Sequence, residues 1–460
     1  MLTLFPTILL VCGKVNFTNL SRYSDLCEKS YRRHYGQSFA FVQLNQHTIA
    51  QAIAPTSDSI AAIDCSFIAK SGKATYGLDW FYNGSASRSE KGLEISVIAV
   101  IDVSARRGYT LSVQQTPPTP TSTQQQSKRK GKGKGKTKAT PTVSRQAIEQ
   151  IREVLNQLPD KPKATQLSNP ALEPEITRVD HYLNQLKATR PYFPDRLSYL
   201  VADGFYSKQK FVDGVVALNL HLISKLRVDA DLRYLYTGSQ KPKGRHRKYD
   251  GKVDLNDLSC LTQVEAIEPH LTLYTAVLWH VSLKRKIRLA LLLDTRNPNK
   301  PGYVLLFSTN VDLDAKQILD YYKARFQIEF IFRDAKQFTG LSDAQTRDPK
   351  KLDFHFNATL SALNLAKYDD QHRHGQTEPK SLPSPFSMAS YKRVAFNHHL
   401  LQRFISQLDL NPTFIKSHPN YPNLLSCGVI NPVHLETWSF SSRRFKLSCR
   451  SKRYPISIQC

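Results

Sequence analysis

The hydrophobic pattern changes period several times along the chain, and each change marks a boundary. Through residues 1–55 apolar positions recur at helical spacing. One apolar helix closes near Gly13, and Asn16–Tyr23 is a short amphipathic piece. Ser24 then caps Asp25–Tyr35, whose last turn carries Arg32, Arg33 and His34 with Gly36 just beyond. From Ser59 the period is that of strands. Ile60–Ile68 (IAAIDCSFI), Leu93–Asp102 (LEISVIAVID) and Tyr109–Gln115 (YTLSVQQ) follow in succession, with Gly84 and Gly92 punctuating the link before the second, and predict an antiparallel meander. Thr116–Pro141 holds no aliphatic side chain larger than Ala139 and cannot bury surface, so it reads as a disordered linker.

Helical spacing returns at Ser144–Leu158 and Glu173–Arg190. Asp195–Asp203 is then a strand, Ser207–Leu218 a helix and Leu220–Leu226 a strand, an alternation that predicts parallel pairing in the same sheet. Residues 227–310 break the alternation. Leu232–Tyr236, Leu258–Ile267, Leu271–Ser282, Lys284–Asp294 and Tyr303–Ser308 read as strands with no good helix between them, a β-rich insertion. A single long helix is expected from Asp314 to near Gly340, followed by Lys351–Tyr368 and Ser387–Leu408. Residues 431–460 show no period and read as an irregular tail.

The helix 314–340 carries more polar surface than solubility requires. At about 100° per residue, Tyr322, Arg325, Glu329 and Lys336 fall within an arc of about 60°. Leu319, Phe326 and Phe330 form one apolar strip beside it, and Ile328, Ile331, Phe332 and Ala335 form another. Lys316, Asp320, Lys323, Gln327 and Asp334 make a separate solvent stripe. On this helix alone, i,i+4 pairing of Glu329 with Arg325 and Arg333 would account for the charges.

Composition adds a partner to the picture. The net charge is +26. Lys128–Lys138 holds seven cations and no acid, and residues 431–460 contribute a net +5; setting both aside leaves +14 on the remainder. A polyanion, DNA or RNA, is the expected partner. The Lys/Gly run is a phosphate-binding tether or a soluble spacer, and the loop Lys241–Lys252 is densely basic as well. Seven scattered cysteines without a C-x-x-C pair suggest neither a zinc framework nor a disulfide scaffold, and fit a reducing cytoplasm. The apolar run at the amino terminus is too short to span a bilayer and lacks a basic leader, so no membrane association is expected. Its abrupt apolar start is that of a chain missing residues upstream.

The spacing Tyr322-x2-Arg325-x3-Glu329-x6-Lys336 resembles the signature of DDE transposases of insertion-sequence family four. The resemblance covers residues 14–425 and requires two further aspartates at strand ends. Asp64 lies inside the first strand and Asp203 ends the strand before a helix, 139 residues apart, with Glu329 another 126 residues on. Asp102 also ends a strand and ranks below both. The order of elements is that of an α/β chain with a ribonuclease-H-like catalytic core and a β-rich insertion, flanked by helical N- and C-terminal regions. The expected division is 1–55 (helical, possible reader of DNA ends or a plain helical cap), 56–226 (first part of the core, interrupted by the linker 116–141), 227–310 (insertion), 311–370 (last part of the core), 371–430 (helical) and 431–460 (tail).

The resemblance implies that Asp64, Asp203 and Glu329 are catalytic metal ligands for Mg2+, with Mn2+ able to substitute, in two-metal phosphoryl transfer. It implies that Tyr322, Arg325 and Lys336 engage phosphates near the cleaved strand. Lys70 and Lys73, in the turn after the first strand, are candidate backbone contacts. Trp279 is the candidate for stacking on a base, against the plainer account of a core tryptophan. The implied partners are the ends of the transposable element, target DNA and a second copy of the chain in a synaptic complex, with a hairpin on the ends as a possible intermediate. A nucleoid-associated protein of a prokaryotic cytoplasm fits that role. The rival readings are a degenerate copy that binds DNA without catalysis, and a ribonuclease-H-like nuclease without strand transfer.

Overall fold

The computed structural model describes residues 3–118, 177–255, 257–297, 299, 301–375 and 386–429, with the side chains of 373–375 excepted. Most of the linker 116–141, the expected helix Ser144–Leu158 and the tail 431–460 lie outside the described residues. The meander is present: β1 (Ser59–Ala69) pairs antiparallel with β3 (Arg88–Asp102), which pairs antiparallel with β4 (Arg107–Gln115). β5 (Tyr199–Ala202) runs parallel to β1, and β6 (His221–Leu226) parallel to β5. Helices Arg178–Thr189 and Gln209–Ala217 flank β5 in sequence.

The five strands Leu232–Leu235 (β7), Thr262–Glu268 (β9), Leu271–His280 (β10), Arg285–Asp294 (β11) and Gly302–Ser308 (β12) fall on the five apolar runs after residue 227. A further strand, β8 (Tyr249–Lys252), lies within the basic loop, where no apolar alternation is present. These strands continue the sheet. β12 pairs antiparallel with β6, and the order runs β2–β3–β1–β5–β6–β12–β11–β10–β7–β8, with β4 also on β3 and β9 also on β10. β2 (Asp79–Asn83) is another strand that the sequence left as a link.

The central strands are buried on both faces because their side chains are apolar at odd and even positions alike. On one face Ile60, Ala62, Leu93, Ile95 and Val97 join a core with the amino-terminal helices, the segment 315–335 and the helix Pro349–Gly375. On the other, Ala61, Ile63, Ile98 and Val100 pack with residues of helices Arg178–Thr189 and Gln209–Ala217. Gly92 permits this density at one point: a Cβ there would lie 2.4 Å from the Phe67 ring and 2.6 Å from the Ile68 carbonyl oxygen. Among the described residues no helix is long and apolar enough to cross a membrane.

The helical readings need local corrections. Near the amino terminus the second turn-forming helix is Glu28–His34, not Asp25–Tyr35. Ser24 Oγ donates to Leu20 O instead of capping, and Tyr31 and Tyr35 are buried. Phe41–Ala52 is an additional full helix. Asp314 does cap its helix, accepting from the amides of Lys316 and Gln317, but the expected continuous helix is two helices, Ala315–Ala324 and Gln327–Asp334. Between them Phe326 N bonds Lys323 O and Glu329 N bonds Phe326 O, three-residue steps that tighten the turn. Ala335–Thr339 then widens into a π-turn. Gly340, at φ +79°, ends the run with Leu341 N bonded to Ala335 O. This change of phase turns Asp334, expected in the solvent stripe, into a buried position beside Arg333.

Candidate active site

Three elements bring the charged residues together. Asp64 is near the middle of β1, on the face shared with the helix Gln327–Asp334, because even positions of β1 join that core. Asp203 follows the last residue of β5 and caps the one-turn helix Gly204–Tyr206, its Oδ1 accepting from Gly204 N at 2.6 Å. Its carbonyl accepts from Ser224 Oγ at 2.9 Å, and Ser207 Oγ donates to Lys225 O at 2.8 Å, which fastens the end of β5 to β6. Glu329 sits in the first turn of its helix, partly exposed.

Arg325 occupies the junction between the two helix segments and reaches into this group. Its Nη1 donates to Asp64 Oδ2 at 3.0 Å and its Nη2 to Glu329 Oε1 at 3.2 Å. Its Nε is buried without a hydrogen-bond partner. The Arg325 guanidinium lies 5.5 Å from the centre of the Tyr322 ring. Burial pushes the Asp64 carboxyl up to about 6; Arg325 and the Cys65 amide oppose the rise, while Asp203 and Glu329 add to it. Glu329 is raised for the same reason, with Asp203 contributing and Arg325 opposing. Burial alone would lower the Arg325 guanidinium, but Asp64, Asp203 and Glu329 hold it protonated. Burial pushes the Tyr322 hydroxyl up to about 12, so it acts as a neutral donor.

The three carboxylates therefore feel one another electrostatically. They do not close on one point. Among the described residues no group of three His, Cys, Asp or Glu side chains is drawn close enough to ligate a single ion. The guanidinium of Arg325 stands between Asp64 and Glu329. The donor set still fits hard divalent cations, which take carboxylate, water and substrate oxygens and need only one or two carboxylates each.

The other expected contacts divide. Lys336 is exposed along its stem while its Nζ donates to Phe67 O at 2.8 Å, so it stands over β1 three residues from Asp64, where partial desolvation of the ammonium lowers its pKa. Lys70 bonds Ala344 O and lines a cleft of about 350 Å3 with Lys14, Thr75, Asp343 and Arg347. Lys73 is exposed in the same turn. Trp279 is half-buried, not a core residue, and Lys248 Nζ lies 5.5 Å from the centre of its ring. Asp102 is structural: it is buried and accepts from Ser57 Oγ and Ala105 N.

Sequence reasoning missed the layer behind the carboxylates. Cys65 Sγ lies 3.3 Å from the Tyr206 hydroxyl, and the Tyr182 hydroxyl donates to the buried Glu94 at 2.9 Å. Burial raises Cys65 and Tyr206 well above their ordinary values, so both stay neutral beside Asp64 and Asp203. The run Asp203-Gly204-Phe205-Tyr206 was the available signal, since a tyrosine three residues beyond a strand-ending aspartate returns beneath the sheet edge.

The family model described as DDE superfamily endonuclease matches residues 39–286, more than half of the chain. The matched span contains Asp64 and Asp203 and ends before Glu329. No curated protein matches the chain.

Proposed function

The chain belongs to the DDE superfamily endonucleases, and from that premise we propose that it is a DNA transposase that cleaves the ends of its own element and joins them to target DNA. The observation that carries the reading is the Arg325 guanidinium held 3.0 Å from Asp64 and 3.2 Å from Glu329, with Asp203 coupled to both. A purely structural ion pair would not need a third carboxylate beside it, nor leave Arg325 Nε buried and unpartnered. The strand order β4–β3–β1–β5–β6, with antiparallel pairs first and parallel pairs after, supports a ribonuclease-H-like core.

In this reading Asp64, Asp203 and Glu329 hold divalent cations, Mg2+ or in its place Mn2+, with Asp64 shared. Bound there, such ions would activate a water or a DNA 3′-hydroxyl and stabilise the leaving oxygen. The chain's own residues position the strand. Arg325 keeps the carboxylates from repelling one another and places a fixed positive charge where a phosphate would approach. Tyr322 donates from a hydroxyl that stays protonated at neutral pH. Lys336 covers β1, and Lys70 and Lys73 extend the cationic surface past its end. Trp279 contributes a half-exposed ring from the insertion. Exposed Lys29, Arg32 and Arg33 make the amino-terminal helices a candidate contact for the DNA ends. The partners are DNA and a second copy of this chain.

Purified protein is incubated with Mg2+, a target plasmid and DNA carrying the short inverted repeats that flank the coding region. Nicks at the repeat ends and covalently joined plasmid products are the expected outcome. Cut ends without joined products favour the nuclease without strand transfer, and intact DNA the degenerate copy.

A further inference from the structure

The edge of the sheet beyond β1 carries aromatic surface that the catalytic centre does not use. Trp80 and Tyr82, alternate residues of β2, are 63% and 56% exposed, and Tyr76 just before them is 49% exposed. Cross-strand pairing places Trp80 opposite Lys91 and Tyr82 opposite Ser89. On β3 the same parity continues through Leu93, Ile95 and Val97, and Val97 pairs with Asp64. Paired residues share a face, so Trp80, Tyr82 and Lys91 stand on the Asp64 side of the sheet.

The cleft lined by Lys14, Lys70, Thr75 and Arg347 adjoins this strand. Thr75 belongs to its wall, and the next residue, Tyr76, donates its amide to Arg347 O at 3.1 Å before the chain enters β2. Lys70 Nζ gives one of its three hydrogens to the Ala344 carbonyl, and Asp343 accepts from the Val15 amide at 2.8 Å. Among the described residues no carboxylate pairs with Lys14, Lys70 or Arg347. Lys70 is half-buried with Arg347 near enough to oppose its charge. Three cations facing the single carboxylate of Asp343, next to solvent-facing rings, match what a nucleic-acid strand offers: phosphates at regular spacing, and bases with apolar faces. Duplex bases are already stacked on each other, so flat exposed rings have no faces to meet there.

We propose that this cleft and the Trp80–Tyr82 face form a track for an unpaired DNA strand, with a backbone phosphate among Lys14, Lys70 and Arg347 and successive bases stacked on Trp80 and Tyr82. The proposal rests on the transposase reading for its polymer, DNA, and adds the strandedness and the residues. An unpaired stretch next to a cleavage site is then held on the same face as the carboxylates while the remainder of the DNA stays double-stranded.

The test uses the full-length chain with Asp64→Asn, so that nothing is cut, and fluorescence polarisation with labelled oligothymidylate and a labelled blunt duplex. Adding Trp80→Ala and Tyr82→Ala is expected to weaken single-strand binding at least about tenfold, since stacking contributes per base, while duplex binding changes much less. Trp80→Phe, which keeps a stacking face, is expected to stay near the parent. Arg347→Ala should flatten the salt dependence of single-strand binding by close to one released counterion. Equal losses for both polymers, or no loss for the single strand, overturn the proposal. A parent protein that binds neither DNA overturns it together with the transposase reading, which separates the two failures.

Discussion

The two ends of the sheet carry similar residues in opposite states. At the insertion end, Arg233 lies 4.6 Å over the Tyr249 ring, Arg247 4.8 Å over Tyr236 and Lys248 5.5 Å over Trp279. Arg233 and Arg247 also pair with Asp231 and Asp250. At the β2 end no cation lies over Trp80 or Tyr82 among the described residues, and Lys14, Lys70 and Arg347 lack carboxylate partners. At the insertion end the cations beside the rings are engaged by them; at the β2 end the rings and the cations are separate. An aromatic and basic composition is therefore a weak pointer to a binding site until the structure shows which cations are already engaged.

The proposed metal site is the sharpest case of that contrast, since Arg325 is engaged by carboxylates that would have another use. Glu329→Gln is expected to slow end cleavage by about 10³-fold, because several kcal/mol of charge stabilisation is lost, with DNA binding near wild type. Gel-based cleavage rates and polarisation read the two separately.

His355 lies below the same end, its Nε2 2.9 Å from Gly340 O, where the glutamate helix stops. Burial pushes its imidazole down to about 4, below the ordinary 6.5. A lowered value means that the unfolded chain binds the proton first. This stabilisation is thus complete above pH 6.5 and lost as pH falls toward 4, by up to about 3 kcal/mol. Denaturant unfolding at pH 7 and pH 4.5 should show that loss in the wild type and less of it in His355→Gln.

Arg325→Ala leaves Asp64 and Glu329 facing each other without the guanidinium. A loss of about 2 kcal/mol is expected at neutral pH, discounted because Glu329 is partly exposed. Added Mg2+ should recover part of the unfolding midpoint in this variant, as a ligand that binds the folded state does. No recovery would argue against the carboxylates as a cation site. The smallest effect is assigned to Trp279→Ala, about threefold in DNA affinity, because a half-exposed cation–π pair contributes under 1 kcal/mol. A loss there larger than at Trp80 would reverse the comparison between the two ends.

Much of this was legible before the structure. Apolar runs in β1 and β3 and apolar alternation in β4 and β6 made these strands visible, and Asp314 and Gly340 marked the limits of the glutamate segment. Asp64, Asp203 and Glu329 were singled out by the resemblance, which demands two strand aspartates upstream of the Tyr322–Lys336 signature; Asp64 lies within β1 and Asp203 follows β5. What stayed hidden has a physical reason in each case. β2 and β8 are short and largely exposed, so no apolar alternation announces them. The break at Arg325–Phe326 involves neither proline nor glycine, and a uniform turn of 100° therefore misplaced Asp334. Trp279 and Trp80 look alike in sequence, since what separates them is a lysine brought over one ring by the fold of the insertion.

The most direct test is single-turnover cleavage of inverted-repeat DNA with Mg2+ by the wild type and by Asp64→Asn, with DNA binding measured in parallel. Nicking at the repeat ends by the wild type, none by the variant, and comparable binding by both are expected. Cleavage at equal rates by the two proteins would contradict it.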